Sequence, residues 1–262
     1  SNEFVADKKN YQDRLYLNDG RGNFTIDTAA LPSNFTSKSC VRAADIDNDG
    51  DLDLFVGGRV KPGSYPEPVS SYIYRNDSKN GVVKFPDVTD RMMKCLSHIG
   101  MVCDALWTDF DNDNLTDLIV VGEWMPITFF RNKGDGTFEN ITASTTIAGE
   151  TGWWNSITAG DFDNDGDIDY VVGNLGTNSF FQPSEKYPVR LYAKDFDNNG
   201  RLDILLTTYL KDRNGVLQEF PAANRDEIMA QIPSLKKKFL TYKAFGEARA
   251  DQLFSAQTLD SA

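Results

Sequence analysis

One acidic motif occurs four times in this chain, and it constrains the fold more than any other sequence feature. The motif is D-x-D-x-[DN]-[GN]-x-x-D, and its copies begin at Asp45, Asp109, Asp161 and Asp195. Each copy runs into a short segment rich in β-branched and aromatic residues, which is typical of a β-strand. Regular repetition of this kind indicates a protein assembled from similar structural units.

The spacing of oxygen-bearing side chains within the motif predicts calcium binding. Ca²⁺ takes about six to eight oxygen ligands at about 2.3–2.6 Å, and carboxylates at alternate positions of a tight loop can converge on one point. Position six has to turn sharply. It is glycine in the first, third and fourth copies and asparagine, the next most tolerant residue, in the second. Position seven varies freely, so we expect only its backbone carbonyl to bind.

Positions one, three, five and nine of each copy supply the predicted side-chain ligands, and position seven supplies the predicted carbonyl. The first loop contains Asp45, Asp47, Asp49, Asp51 and Asp53, and the second contains Asp109, Asp111, Asp113, Leu115 and Asp117. The third contains Asp161, Asp163, Asp165, Asp167 and Asp169, and the fourth contains Asp195, Asp197, Asn199, Arg201 and Asp203. The sequence therefore predicts up to four Ca²⁺ ions, one per loop.

Two other interpretations of the motif are disfavoured. An EF-hand needs a bidentate glutamate at position twelve, and that position is valine or leucine in all four copies. Simple Asp/Asn/Gly turns would not need so much charge, because the four nine-residue loops hold 17 of the 39 acidic residues and one basic residue, Arg201. Two like charges about 4 Å apart repel by about 4 kcal/mol at an effective dielectric constant of about 20. The loops therefore require a cation.

A second motif alternates with the acidic loops. Residues 15–26, 72–89 and 127–142 each contain an apolar strand, a polar turn rich in Asn, Asp and Gly, and then Phe and another strand, which predicts hairpins. A loop-linked pair of strands plus a hairpin makes four strands in about 50–60 residues, the size of a propeller blade. The predicted fold is therefore all-β. The stretch 173–190 is too short for a full unit and is expected to be irregular.

The C-terminal part departs from the repeat. We predict β-propeller blades over residues 1–221 and a helical insertion or tail over residues 222–262. Asn224 followed by Glu227 predicts a capped helix. A second helix is expected to begin at Ser234, with Leu235, Phe239, Tyr242 and Phe245 roughly along one face.

Taken together, the loops of the type DFDNDGDIDYVVG and the hairpins of the type FFRNKGDGTFENIT resemble the FG-GAP/VCBS repeats of integrin-α-like propellers. They are most similar to those of bacterial proteins that carry these repeats beside an ASPIC/UnbV domain. The resemblance covers roughly residues 11–210. It implies a propeller, usually seven-bladed, on extracellular or cell-surface proteins, in which each loop joins the first two strands of a blade and holds one Ca²⁺. The chain has too few units for seven blades, so it is expected to be part of a longer polypeptide.

Composition and charge exclude several classes of function. The net charge of −12 argues against nucleic acid, whose phosphates bind clustered Lys and Arg. No apolar run approaches the roughly 18 residues of a membrane span. Catalysis is disfavoured but not decided, because His98 is the only histidine and neither Glu123 nor Glu150 has an evident catalytic partner. The disulfide state stays open for three cysteines without zinc-type spacing: Cys40, Cys95 and Cys103.

Binding is favoured over catalysis. The resemblance implies that partners dock on the face opposite the calcium loops. Candidates there are residues 58–71 and the rings of Trp124, Trp153 and Trp154, for which core packing is the alternative. The predicted function is a calcium-binding, extracytoplasmic interaction module for a protein or a glycan, and the alternative is the propeller domain of a polysaccharide-processing enzyme. Extracellular calcium sites fill only where calcium is abundant, so a secreted, periplasmic or cell-surface location is expected.

Overall fold

The computed structural model describes residues 8–177 and 179–262, and it shows antiparallel β-sheets accompanied by short helices. The described residues form two compact units. One comprises the chain up to Gly63 together with Glu67–Leu175, and the other comprises Ser64–Pro66 together with the chain from Gly176 onward. No helix in the described ranges is long and apolar enough to cross a membrane. The prediction of an all-β fold is confirmed.

Three sheets are seen in the described part of the first unit. Strand β1 (Leu15–Asn18) pairs with β2 (Phe24–Asp27), and β3 (Lys38–Ala44), β4 (Asp53–Gly58) and β5 (Tyr72–Tyr74) form the second sheet. The third sheet comprises β6 (Met101–Thr108), β7 (Asp117–Pro126), β8 (Thr128–Asn132), β9 (Phe138–Asn140), β10 (Thr151–Gly160) and β11 (Asp169–Asn174). The connections contain α1 (Thr89–Met92) and 3₁₀ turns at Lys8–Tyr11, Lys94–Leu96 and Thr142–Ser144.

The strand order matches the predicted blades. Strands β6, β7, β8 and β9 pair in sequence order, which is the meander expected of one blade. Strands β3, β4 and β5 repeat its first three strands, and the bridge between Tyr74 and Asp87 lies where a fourth would begin. Strand β10 starts beside β7 and continues beside β11, so it links one repeat to the next. The described strands close no sheet on itself.

Strand β7 is buried on both faces. Leu118 and Val120 enter one apolar cluster, which includes Phe55 of β4, whereas Ile119 and Val121 point the other way into a second cluster. All four of these β7 side chains are fully buried. A strand with a core on each face lies between two other layers, which is the position expected of a blade packed between neighbours.

The carboxylate of Asp104 on β6 joins three strands. It pairs with the side chain of Arg42 on β3, and its Oδ2 accepts a hydrogen bond from the backbone N–H of Ile157 on β10 at 3.2 Å. Asp104 is 7 % exposed, so the loss of this acceptor would leave a buried donor without a partner. The three strands belong to three successive repeats, and Asp104 therefore fastens the repeats to one another.

The second unit combines a three-stranded sheet with the C-terminal helices. Strands β12 (Arg190–Lys194), β13 (Asp203–Lys211) and β14 (Leu217–Pro221) pair in order. They are followed by α2 (Arg225–Gln231), a 3₁₀ turn at Pro233–Lys237, α3 (Tyr242–Gly246), α4 (Ala250–Leu253) and α5 (Ala256–Asp260). Leu205 of β13 shares one apolar cluster with Ile228 of α2 and with Leu253 of α4. The helices thus share a core with a strand. The boundary at residue 221 stays a prediction, and residues 1–7 of the predicted blade region lie outside the described ones.

The capped helix is confirmed. The Asn224 side chain accepts a hydrogen bond from the backbone N–H of Glu227 at 3.0 Å, and the Glu227 carboxylate accepts one from the backbone N–H of Asn224 at 3.1 Å. This reciprocal pair satisfies two donors that a helix start leaves without partners. The described residues between β11 and β12 form no strand, so the irregular stretch is confirmed as well.

The prediction of one helix from Ser234 is wrong. A 3₁₀ turn ends at Lys237, and α3 begins only after Thr241, whose hydroxyl accepts the backbone N–H of Ala244 at 3.1 Å. Tyr242 does not lie on a buried face, since it is 66 % exposed and its hydroxyl donates to Asp226 at 2.8 Å. The polar contact holds this ring at the surface, against the helical periodicity.

Candidate metal centre

The four acidic loops occupy equivalent places in the fold. Each loop connects the first two strands of a repeat, and its ninth residue is the first residue of the second strand. The strands on either side of each loop pair directly at its ends, at Ala44–Asp53, Thr108–Asp117, Gly160–Asp169 and Lys194–Asp203. The placement that the repeat resemblance implied is therefore confirmed for all four loops.

The backbone of the loops turns at positions four and six. Position four is asparagine in every copy, with φ between 59° and 62°. Position six has φ of 96°, 97° and 82° in the three glycines and 67° in Asn114. Both positions lie in the left-handed region, which glycine adopts freely and asparagine tolerates better than most residues. The Asn/Gly pattern of the motif is thus required by the turn itself.

Carboxylates organise the inside of each loop. The position-one carboxylate accepts hydrogen bonds from the backbone N–H groups of positions five and six at 2.8–3.2 Å. The position-nine Oδ2 accepts from the N–H of position two at 3.0–3.3 Å. The position-five side chain accepts from the N–H of position seven at 2.8–3.1 Å. The same network in four copies shows that they share one geometry.

Three carboxylates converge in every loop, from positions one, three and nine, with ligand atoms within 4.8 Å of one another. The four trios are Asp45, Asp47 and Asp53; Asp109, Asp111 and Asp117; Asp161, Asp163 and Asp169; and Asp195, Asp197 and Asp203. The predicted position-five ligands are Asp49, Asp113, Asp165 and Asn199, and each accepts a hydrogen bond from the backbone N–H of position seven. Their role as metal ligands stays a prediction.

The trio carboxylates lack a direct ionic partner among the described residues, although the charge of Arg75 interacts with Asp47 and Asp53. Within the described ranges, no trio carboxylate forms an ion pair with lysine, arginine or histidine. Asp53 is 1 % exposed and Asp117 is 0 % exposed. Burial, reinforced by neighbouring carboxylates, raises the pKa of each of these two groups to about 6, although backbone hydrogen bonds oppose the shift. Burial also raises the pKa of Asp203. A cation in the loop would stabilise the ionised carboxylates and so offset the free-energy cost of burying their negative charges together.

Two oxygens in the loops fit a metal ion directly. Oδ1 of Asp197, a trio member, and Oδ1 of Asp51 are buried and have no hydrogen-bond partner in the described part of the chain. Buried polar atoms in proteins are rarely left without a partner. Hard carboxylate oxygens with no donor, grouped with other carboxylates, are the ligands that Ca²⁺ prefers. Asp51 occupies position seven, where we had expected only the backbone carbonyl, so the first loop offers an additional side-chain oxygen.

Two asparagines that the sequence analysis missed support the loops. The backbone N–H groups of Asn76 and Asn132 each donate at 2.7 Å to Oδ1 of a position-nine aspartate, Asp53 and Asp117 respectively. Both asparagines follow an arginine at the end of the third strand of their repeat, in the similar segments YRND and FRNK. This similarity could have indicated that the two asparagines are equivalent, although it does not reveal their hydrogen bond to the position-nine aspartate.

The other candidate residues are placed without a catalytic arrangement. Glu123 pairs with Arg59 at 2.5 Å, and the exposed His98 has its Nδ1 3.1 Å from Oγ of the adjacent Ser97. Trp124 meets Trp153 edge-on, with ring centroids 4.9 Å apart. The remaining candidates are Glu150, which is exposed, Trp154, which packs on the second apolar cluster, and Cys40, Cys95 and Cys103, which are free thiols.

Comparison with known families agrees with this arrangement. The family model of the FG-GAP-like repeat matches residues 4–56 and 109–172. These two segments contain the first three acidic loops with the strands that follow them. The resemblance to FG-GAP-like repeats that the loops and hairpins predicted is therefore confirmed over these two segments.

Two relatives are similar to this chain in sequence at modest identity, and both are cartilage acidic protein 1. The protein from Xenopus tropicalis is 29 % identical over 136 residues, which is 44 % of this chain and 20 % of the relative. The human protein is 23 % identical over 216 residues, which is 67 % of this chain and 31 % of the relative. The chain therefore spans less than a third of the length of either relative.

One solved structure aligns with most of the chain. It concerns specific recognition of non-reducing terminal N-acetylglucosamine by an Agrocybe aegerita lectin. The alignment covers 79 % of this chain and 60 % of the lectin at 19 % identity, with a TM-score of 0.38. A TM-score of this size does not establish a common fold, and no function follows from it.

Proposed function

We propose that this chain is a calcium-binding, extracytoplasmic interaction module of the β-propeller type, which binds a protein or a glycan. The observation that carries the proposal is the convergence of three carboxylates in each of four loops, none of which forms an ion pair among the described residues. Oδ1 of Asp197, a member of the fourth trio, and Oδ1 of Asp51 have no hydrogen-bond partner in the described part of the chain, which supports a cation in these loops. The repeat family supports the interaction role, because loops held on a rigid scaffold commonly carry binding residues.

In this proposal the chain's own residues hold the ion and the ion supplies positive charge. The position-one, position-three and position-nine aspartates bind it through side-chain oxygens, and position seven binds through its carbonyl. Position five is a further side-chain ligand in this proposal, and its side chain also orders the turn by accepting the N–H of position seven. Because the position-nine aspartate is the first residue of a strand, an ion held there would fix the end of that strand to the loop. Calcium is thus assigned a structural role, which prepares the repeats for binding elsewhere on their surface.

The test is thermal unfolding with and without calcium. A ligand present at 100 times its Kd stabilises the folded state by about 2.7 kcal/mol per site, and 1 kcal/mol shifts Tm by roughly 2–4 °C in a protein of this size. We therefore expect EDTA to lower Tm by about 5–11 °C for each loop that it empties. Added Ca²⁺ should restore it better than Mg²⁺, which prefers tighter octahedral sites. An unchanged Tm after metal loss has been verified by elemental analysis would contradict the proposal.

The ligand is addressed by a separate experiment. Calcium-loaded protein is applied to a glycan array and to an extracellular protein library, and in parallel it is incubated with polysaccharides to detect cleavage. Saturable binding without cleavage supports the interaction module. Polysaccharide cleavage by the purified chain would instead support the domain of a polysaccharide-processing enzyme.

A further inference from the structure

We propose that the first and second calcium loops bind their ions cooperatively, and that Asn132 is the positioning residue that couples them. This inference rests on the proposed calcium binding. Asn132 is the last residue of β8 and 4 % exposed, and it contacts both loops at once. Its side-chain Nδ2 donates to the backbone carbonyl of Ile46 in the first loop and to that of Thr116 in the second, each at 3.1 Å.

These contacts form an unbroken chain between two trio carboxylates. Oδ1 of Asp117 accepts from the backbone N–H of Asn132 at 2.7 Å. The Asn132 side chain holds the carbonyl of Ile46, and the N–H of Ile46 donates to Oδ2 of Asp53 at 3.3 Å. Asp53, Ile46 and Asp117 are 3 % exposed or less. An ion that fixes Asp117 therefore also restricts the peptide group next to Asp53.

Ile46 is well suited to transmit the effect. It is position two of the first loop, and its side chain lies in the apolar cluster that also contains Phe130 of β8 and Leu118 of β7. Its carbonyl, its N–H and its side chain are thus all held by the second repeat or by Asp53. A first loop ordered in this way needs less reorganisation when it takes up calcium, so the first ion lowers the cost of the second.

The other loops lack such a relay among the described residues. The second and third loops meet through one exposed bond, from Nδ2 of Asn112 to Oδ1 of Asp167 at 3.1 Å. Asn76 is the counterpart of Asn132 in the preceding repeat. It makes the same backbone contact, to Asp53, but its side-chain oxygen accepts only the N–H of Ser78, at 3.1 Å, and joins no second loop. Coupling is therefore expected for one pair of loops, and Asn76 provides a matched control.

The experiment measures calcium affinity loop by loop in the full chain. Backbone amide resonances of Gly50 and Gly200 report the first and fourth loops during a Ca²⁺ titration followed by NMR. The second site is removed with Asp111→Asn in the wild-type background and in the Asn132→Ala background. We expect Asp111→Asn to weaken the first loop by about tenfold in the wild type, within the usual range of allosteric coupling, and by less than about twofold in Asn132→Ala.

Controls make each outcome decisive. Asn76→Ala should keep the tenfold effect, and the fourth loop should not respond in any variant. Asn132→Asp keeps the side-chain volume but loses the amide donor, and it replaces Asn132→Ala if that variant does not fold. An equal effect of Asp111→Asn with and without Asn132, or no effect in either, overturns the coupling while calcium binding stands. A wild-type chain that takes up no calcium overturns the proposed function itself.

Discussion

Asp163 and Asp167 lie four residues apart in the third loop and have different surroundings. Asp163 belongs to the trio with Asp161 and Asp169, whereas Oδ1 of Asp167 accepts from Asn112 of the neighbouring loop. In this loop, position three belongs to the proposed ion site, whereas the side chain of position seven contacts another repeat. The motif predicted only that the position-seven side chain is not a ligand, because that position is leucine or arginine in other copies.

Substitution of the two aspartates tests that register. Asp163→Ala should remove one Ca²⁺ of four, since the trio loses a ligand. Asp167→Ala should keep all four and cost less than about 1 kcal/mol in unfolding free energy, because it removes one exposed hydrogen bond. Elemental analysis of gel-filtered protein gives the number of ions, and calorimetry gives the stability. Equal metal loss from both variants would contradict the assignment.

The surroundings of the position-seven aspartates could not be predicted from the sequence. Asp51 and Asp167 occupy the same position in equivalent loops, yet Oδ1 of Asp51 is buried without a hydrogen-bond partner and Oδ1 of Asp167 has one in Asn112. The difference comes from a residue of a neighbouring repeat. A sequence pattern does not reveal hydrogen bonds between residues of neighbouring repeats. The role of Asn132 could not be predicted for the same reason.

At the scale of elements, the Asp104 carboxylate makes a specific prediction about how the repeats hold together. Asp104→Ala should lower the unfolding free energy by about 2–4 kcal/mol, because it removes a charge-assisted bond to Arg42 and leaves the N–H of Ile157 buried without an acceptor. The matched control is Glu139→Ala, which breaks an exposed pair with Arg131 and should cost at most about 1 kcal/mol.

Chemical denaturation in calcium-saturated buffer measures both variants. Saturation matters because it keeps the loops occupied, so that the difference reports the contacts between strands alone. Similar losses for Asp104→Ala and Glu139→Ala would show that the bonds of Asp104 do not fasten the repeats.

Elements with strong local signals were predictable. The loop-to-strand transitions follow from the motif, the hairpins follow from their Asn/Gly turns, and the start of α2 follows from the side chains of Asn224 and Glu227. The helix expected from Ser234 failed because Thr241 competes as a helix start and because Asp226 holds Tyr242 at the surface. Capping side chains close in sequence thus made the start of α2 predictable. The interruption of the helix expected from Ser234 depends in part on a tertiary contact, which the local sequence does not show.

At the scale of the whole molecule, the proposed calcium ions would change the net charge. The net charge is −12, and eight positive charges from four Ca²⁺ ions would bring it to −4. Extracellular calcium modules typically bind at about 10⁻⁴–10⁻³ M, and we expect the four loops to bind in this range. At such affinities the loops would be empty in a cytosol and filled outside it.

Calorimetric titration of the metal-free chain checks this prediction of location. We expect dissociation constants in the upper micromolar to millimolar range, weakened by salt because surface charges are screened. Submicromolar affinity at all four loops would let the protein hold calcium in the cytosol, and it would contradict an extracytoplasmic site of action. So would a full-length gene product without a secretion signal.

The converging carboxylates of each loop lie within nine consecutive residues. Closing so short a segment costs little chain entropy, so a loop can capture its ion before the surrounding sheets have assembled. A polypeptide exported in an unfolded state would then stay open on the calcium-poor side of the membrane and begin to fold as it emerges on the other. Calcium would then set when folding begins, and the loops would take up their ions one after another in the order in which they emerge from the membrane.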